Sequence, residues 1–191
     1  MIPTPYLLDT NVYCEFFIPA SQRHQQFTSL ENLLCNPAND IKSFYIAEIT
    51  SMEIYSVIGK YARGREEQVV NCNRQIIHQQ LSNCSHQWIS PALNQLTTRQ
   101  TKKILSQIDN AESLHGDIHA HVLPITSEAI HEGKRLLRQY ATKFALGSHD
   151  AFIAGFLIVA NRQGQNLSLI TFDKALKNVL KLENQPIVEF S

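Results

Sequence analysis

The sequence predicts an α/β fold of three layers, with helices on both faces of a central parallel sheet and an inserted helical hairpin. Three observations predict it. Strand-like and helix-like stretches alternate at both ends of the chain, the pattern of parallel strands joined by crossover helices. The stretch after Asp150 is apolar nearly all round, as a helix buried in a core must be. Between about residues 66 and 111 the chain is rich in Gln, Asn and Ser and carries apolar residues at helical spacing. The 191 residues are long enough for a sizeable core and read as one domain, 1–191, with an insertion at about 66–111.

Element by element, Tyr6 to Leu8 make a short apolar strand behind Pro5, ending at Asp9. Val12 to Phe17 and Phe27 to Leu34 read as helical, broken at Pro19, and Pro37, Asn39 and Asp40 mark a loop. Ser43 to Ile49 is β-like; Thr50 then opens a helix that runs to about Arg63, with Gly64 as terminator. In the inserted block one stripe comprises Val69, Val70, Ile76, Ile77 and Leu81. A second comprises Leu93, Leu96, Ile104, Leu105 and Ile108, and Pro91 separates the two. Val122 to Ile125 is a short strand, and Thr126 or Ser127 caps a helix to about Lys143. Gly147-Ser148 begins the buried helix, which ends near Gly164. Leu167 to Ile170 is a strand, Lys174 to Leu180 a short helix, and Ile187 to Phe190 a last strand.

Composition narrows the function classes. Lys+Arg and Asp+Glu both total 17, so the chain lacks the basic footprint of a protein that coats nucleic acid. An enzyme acting on nucleic acid is still allowed, because a metal ion supplies positive charge locally. The four cysteines, Cys14, Cys35, Cys72 and Cys84, form no C-x-x-C pair, which favours reduced thiols and a cytoplasmic protein. Asp9 and Glu15 interrupt the N-terminal apolar character, against a signal peptide. The longest apolar run, Ala151 to Ala160, is about half of the ~20 residues of a membrane span, so no membrane partner is expected.

Four acids stand at one kind of junction: Asp9 in YLLDTN, Glu53 in AEITSMEIYSVIG, Asp150 in GSHDAFIAGFLIVA and Asp173 in LSLITFDKAL. A carboxylate beside an apolar run is costly to desolvate unless something pairs with it. In a parallel sheet ligands bind beyond the carboxyl ends of the strands, and adjacent strands bring all four acids to one cleft. Two carboxylates ~4 Å apart repel by roughly 4 kcal/mol at an effective dielectric of 20, a repulsion that a hard divalent cation reverses. Each acid also has a structural reading. Glu53 lies at capping-box spacing from Thr50, Asp150 suits a helix first turn, and Asp9 and Asp173 suit Asx turns. Four coincidences at one sheet edge are less probable than one site.

Metal held by these carboxylates lowers the pKa of bound water and polarises a scissile phosphate, so no nucleophilic side chain is required. Thr10 and Asn11 are short donors suited to holding a carboxylate rotamer.

These residues resemble the PIN-domain nucleases. The resemblance lies in LLDTNV, the T-S-x-E segment ending at Glu53, VLPITSEA, SHDAFIAG and LITFDKAL, in that order, and it covers most of the chain outside 66–111. It implies a PIN-like fold and a Mg2+- or Mn2+-dependent endoribonuclease, commonly the toxin half of a VapBC-type pair. By position, Asp9, Glu53, Asp150 and Asp173 correspond to the metal-binding, catalytic acids. Thr10 and Asn11 correspond to the polar residues that orient the first of them, and Thr171 to the hydroxyl residue preceding the last.

Other features compete for a role. HGDIHAH holds His115, Asp117, His119 and His121 and reads as a solvated loop in preference to a weak metal site. His149 reads as a helix-start histidine ahead of a general acid. Lys143 and Lys174 are the best candidates for holding a phosphate backbone, and the Gln/Asn-rich block is a candidate groove for an antitoxin protein or a second protomer of a homodimer. The alternative to an RNA-cleaving enzyme is a catalytically silent RNA- or protein-binding module of the same fold; a phosphatase or DNA nuclease would share the metal chemistry. Four retained acids favour the nuclease, because a binding module gains nothing from a repulsive pocket.

Overall fold

The computed structural model describes residues 5–36, 40–63 and 96–190, together with 69–71, 76–77, 80–81 and 87–89. The chain begins with β1 (Tyr6–Leu8) and α1 (Thr10–Tyr13), the latter continued by a 3-10 turn at Cys14–Phe16. A second 3-10 turn at Ala20–Gln22 leads to α2 (Phe27–Leu34), β2 (Cys35–Asn36), β3 (Ile41–Ala47) and α3 (Glu48–Arg63). Four short strands follow: β4 (Val69–Asn71), β5 (Ile76–Ile77), β6 (Gln80–Leu81) and β7 (Gln87–Ile89). Then come α4 (Thr98–Glu112), β8 (Ile118–Leu123), α5 (Ser127–Phe144), α6 (Ser148–Arg162), β9 (Ser168–Ile170) and α7 (Lys174–Leu182).

The central sheet runs β8-β3-β1-β9 with all four strands parallel, and β2 pairs antiparallel with the start of β3. Alternation along the strands sorts the core into two layers, because successive side chains leave a strand on opposite faces. Leu8 and Ile170 pack with α1 to α4, against Phe44, Ile54, Ile58 and Ile108. Leu7 and Leu169 pack on the other face, against α5, α6 and α7. Leu7 and Leu8 are wholly buried, each worth about 1.5–3 kcal/mol of transfer free energy. α6 buries every residue from Ile153 to Ala160, so its apolar circumference has the surroundings it needs. The three-layer α/β prediction stands.

Several local expectations do not. Val69, Val70, Ile76, Ile77 and Leu81 lie in strands, not helix: β4 pairs antiparallel with β7, and β5 with β6. Four of them, Val69, Val70, Ile76 and Ile77, are β-branched and favour extended backbone, and five apolar residues among amides were too few to impose a helical face. Gly64 and Pro91, like Pro37 and Asn39, lie outside the described residues. Of the second stripe, Ile104, Leu105 and Ile108 lie in a helix, α4, which buries Ile104 and Ile108 behind a capping box of Thr97 and Gln100, whereas Leu96 precedes the helix and Leu93 lies outside the described residues.

The strand expected at Ser43 to Ile49 is β3, and α3 starts at Glu48, two residues before Thr50. Glu53 therefore sits in the second turn and is not the partner of a Thr50 cap. The second half of the histidine segment is strand, since β8 begins at Ile118 and pairs with β3 as far as Leu123, whereas His115 to Asp117 remain loop. The last expected strand reduces to one parallel bridge, Leu169 with Ile187, closed by Leu169 N–H to Pro186 O at 3.0 Å and Val188 N–H to Leu169 O at 2.9 Å.

Candidate functional site

The register of β1 against β9 places Leu8 opposite Ile170, so the next residues, Asp9 and Thr171, emerge side by side at the carboxyl edge of the sheet. The Asp9 N–H donates to Ile170 O at 3.1 Å, tying the two strand ends together. Asp9 caps α1, its Oδ1 accepting from Thr10 N–H at 2.7 Å, and its Oδ2 accepts from the Thr171 hydroxyl at 2.7 Å. Thr171 Oγ in turn accepts from Asp173 N–H at 3.0 Å and from Asn11 Nδ2 at 3.4 Å. Asn11 Oδ1 accepts from Phe172 N–H at 3.2 Å. Two short loops, one after each central strand, are thus knitted into one rigid ledge around a carboxylate only 3% exposed.

Asp150 reaches the same region from the first turn of α6, where its Oδ2 accepts from Gly147 N–H at 3.3 Å. Glu53 comes from α3. Its Oε2 lies 2.9 Å from His149 Nε2, off the direction of a ring N–H donor, so the pair is in contact without a hydrogen bond. Asp9, Glu53, Asp150 and His149 line one cavity of about 330 Å3, together with Glu15 and Phe172. Three of the four predicted acids meet there. The fourth, Asp173, is not among the lining residues: its Oδ1 caps α7 by accepting from Leu176 N–H at 2.7 Å. Its charge nevertheless reaches the site, as the Asp150 carboxyl shows.

The electrostatics are those of crowded acids. Burial pushes the Asp9 carboxyl up to about 6, and the Asp150 charge adds to the rise; the bonds from Thr171 and Thr10 and the nearby His149 oppose it. Asp150 is raised by burial, then by Asp173 and less strongly by Glu53. Glu15 is raised by its burial against the stabilising bond from His24 N–H. Cys14, buried beside these acids, is pushed up to about 12, so its thiol is no nucleophile.

Asp9, Glu53 and Asp150 offer only oxygen donors, the set that suits Mg2+ or Mn2+. Among the described residues no three His, Cys, Asp or Glu side chains are grouped to hold a metal ion as they stand. In this arrangement Glu53 is in contact with His149, 2.9 Å away.

His119 and His121 belong to β8. His121 Nε2 sits 3.2 Å from Ser43 Oγ, its ring tilts against Tyr45 at 5.7 Å, and burial lowers its pKa. These are the contacts of strand side chains. Lys143 lies over its neighbour Phe144 at 5.1 Å, and neither it nor Lys174 lines the cavity. Glu15 is the acid missed in the sequence. It is 7% exposed, inside the apolar run VYCEFFI, and the reasoning applied to Asp9 (a carboxylate amid apolar neighbours) would have found it.

No family model and no curated protein matches the chain. Among solved structures it is similar to FitAcB from Neisseria gonorrhoeae, at 16% identity over 96% of each chain and a TM-score of 0.55. It is also similar to DNA-bound VapBC from Salmonella typhimurium, at 17% identity over 98% of each chain and a TM-score of 0.51. The likeness is one of fold. It spans almost the whole of each chain. The shared fold agrees with the PIN-like architecture that the order of motifs implies.

Proposed function

We propose that this chain is a Mg2+- or Mn2+-dependent endoribonuclease acting on single-stranded or structured RNA, and the toxin of a toxin–antitoxin pair. One observation carries the reading: Asp9, Glu53 and Asp150 line a single cavity at the carboxyl edge of a parallel sheet. The motif resemblance to PIN-domain nucleases and the fold shared with FitAcB and VapBC support it.

Asp9, Glu53 and Asp150 would hold the cation, with Asp173 adding negative charge from the end of α7. When bound, the cation supplies hydroxide near neutral pH from coordinated water and offsets charge on the phosphate. The chain's own residues supply order. Thr171 and the Thr10 N–H fix both oxygens of Asp9, leaving its remaining lone pairs aimed by the ledge and not by solvent. Asn11 holds Thr171 and the Phe172 backbone in place, so the ledge keeps its shape when the carboxylates are loaded.

The pairing with an antitoxin, the possibility of a homodimer and a cytoplasmic setting belong to the same reading. Among the described residues no helix is long and apolar enough to cross a membrane. The decisive experiment is a cleavage assay on a panel of RNA and DNA strands with Mg2+, Mn2+ or EDTA. RNA cleavage should need the metal and should fall roughly a hundredfold in Asp9→Asn and Asp150→Asn, the scale of a disrupted metal shell. Cleavage persisting in excess EDTA, or an unimpaired Asp150→Asn protein, would overturn the metal mechanism, and no cleavage of any strand with either metal would leave a non-catalytic binding module.

A further inference from the structure

At the lip of the acidic cavity stands an aromatic pair that the metal chemistry does not use. Phe172 lines the cavity between Thr171 and Asp173, and the His24 imidazole stacks on its ring at 4.0 Å between centroids with 15° between planes. His24 is solvent-exposed, yet it is pinned. Its backbone N–H donates to the buried Glu15 carboxylate at 2.5 Å, and its ring Nδ1 accepts from Gln26 N–H at 3.2 Å. Gln26 is itself tied to Phe190 O through Nε2 at 3.1 Å. Arg23 is fixed by a bond from Nε to Ile18 O at 3.2 Å and by lying over the Phe27 ring at 4.3 Å. An exposed side chain ordinarily keeps its rotamer freedom, and ordering it costs entropy. Here a planar ring is held flat against Phe172, which lines the cavity, with its proton directed to Nε2 by the bond at Nδ1.

We infer that the His24–Phe172 pair is a stacking platform for an unpaired nucleobase of the strand whose phosphate enters the acidic cavity. The inference rests on the nuclease reading for the role of the cavity, and it adds the residues that grip the strand. Stacking on an aromatic plane is open to any base, because every base has a π-face, and closed to bases locked inside a duplex. It also answers an electrostatic difficulty. The cavity is acidic and the chain has no net charge, so affinity for a polyanion has to come largely from contacts other than charge.

The test uses the full chain and short RNA and DNA strands carrying 2-aminopurine at each position in turn, in EDTA and in Ca2+. Stacking should quench the probe at one position, and a duplex of the same sequence should not show the quench. His24→Ala should weaken binding roughly tenfold or more, the scale of one base–aromatic stack, and abolish the quench. His24→Phe should restore both, whereas His24→Lys should restore neither. No quench at any position in either strand, His24→Ala binding like the parent, or rescue by lysine would overturn the platform. The two readings fail separately. A protein that cleaves RNA with Mg2+ but ignores every His24 substitution keeps the nuclease reading and loses the platform. A protein that never cleaves but quenches through His24 keeps the platform and loses the nuclease.

Discussion

Thr171 donates its hydroxyl to Asp9 Oδ2 at 2.7 Å, joining residues 162 positions apart at the ends of neighbouring strands. This bond holds the Asp9 pKa down against burial, which otherwise drives it upward. Thr171→Val keeps the shape and removes the donor. The Asp9 carboxyl should then titrate above its present value of about 6, seen by carbon-detected NMR in metal-free protein. Mn2+ affinity should fall by roughly tenfold or more, as when the support of a ligand is lost. Thr171→Ser should titrate and bind like the parent. An unchanged Asp9 titration in the valine variant would mean that the bond does not tune the site.

Asp9 itself should destabilise the metal-free protein near neutral pH. Its pKa is raised from 3.8 to about 6, so its contribution to stability is full below 3.8 and is lost as pH rises through about 6. A rise from 3.8 to about 6 corresponds to about 3 kcal/mol. Asp9→Asn removes this penalty. Urea unfolding in EDTA should show the variant gaining on the parent by up to about 3 kcal/mol between pH 4 and pH 7. Taking the difference between the two proteins cancels the other titrating acids. Added Mn2+ should stabilise the parent by mass action and leave the variant nearly unmoved. A difference curve flat across that window would show that Asp9 is not desolvated as the geometry requires.

Legibility in the sequence followed the strength of local signals. The LLD and LIT motifs announced Asp9 and Thr171 because a short apolar strand ending in a polar residue has few other readings. α6 was legible from its apolar circumference alone. Glu53 was assigned to the correct helix but the wrong turn, because Ile49 is β-branched and extends the apparent strand, whereas the helix starts at Glu48. His119 and His121 alternate with Ala120 and Val122 as strand residues do. Their histidine content drew attention to metal binding and away from that period of two. Val69 to Leu81 misled because sparse apolar residues fit more than one period. Glu15 and His24 were also missed. Glu15 shows the same local pattern as Asp9, a carboxylate amid apolar neighbours, but the partner of His24, Phe172, is distant in sequence, and no local pattern records that meeting.

His149 should oppose metal loading. Its Nε2 lies 2.9 Å from Glu53 Oε2, so it occupies a carboxylate proposed to hold the cation, and when protonated it would repel the cation. His149→Ala should therefore bind Mn2+ more tightly, by up to about fivefold, since a partly exposed contact of this kind is worth up to about 1 kcal/mol. Titration calorimetry of the metal-free protein reads this directly. Weaker Mn2+ binding in the variant would instead make His149 a residue that orients Glu53 toward the cation.

The crossing of α5 and α6 that presents Asp150 to the cavity depends on Gly155. A Cβ there would come within 2.6 Å of Gly133 N and 2.7 Å of Ala129 O, both backbone atoms of the facing helix. Backbone cannot swing aside as a side-chain tip does, so the helices must separate. Overpacking of this kind typically costs about 1–3 kcal/mol, and every residue of α6 from Ile153 to Ala160 would share the strain. Gly155→Ala should lower the melting temperature by roughly 2–4 °C per kcal/mol lost. Gly133→Ala should cost less, since its nearest contact, Ala151 O, lies at 3.0 Å. Because Asp150 rides on the first turn of α6, separation of the helices should also weaken Mn2+ binding in Gly155→Ala. A variant that melts early but binds Mn2+ like the parent would show that the first turn of α6 is held by its own contacts, chiefly the Gly147–Asp150 cap, and not by the crossing.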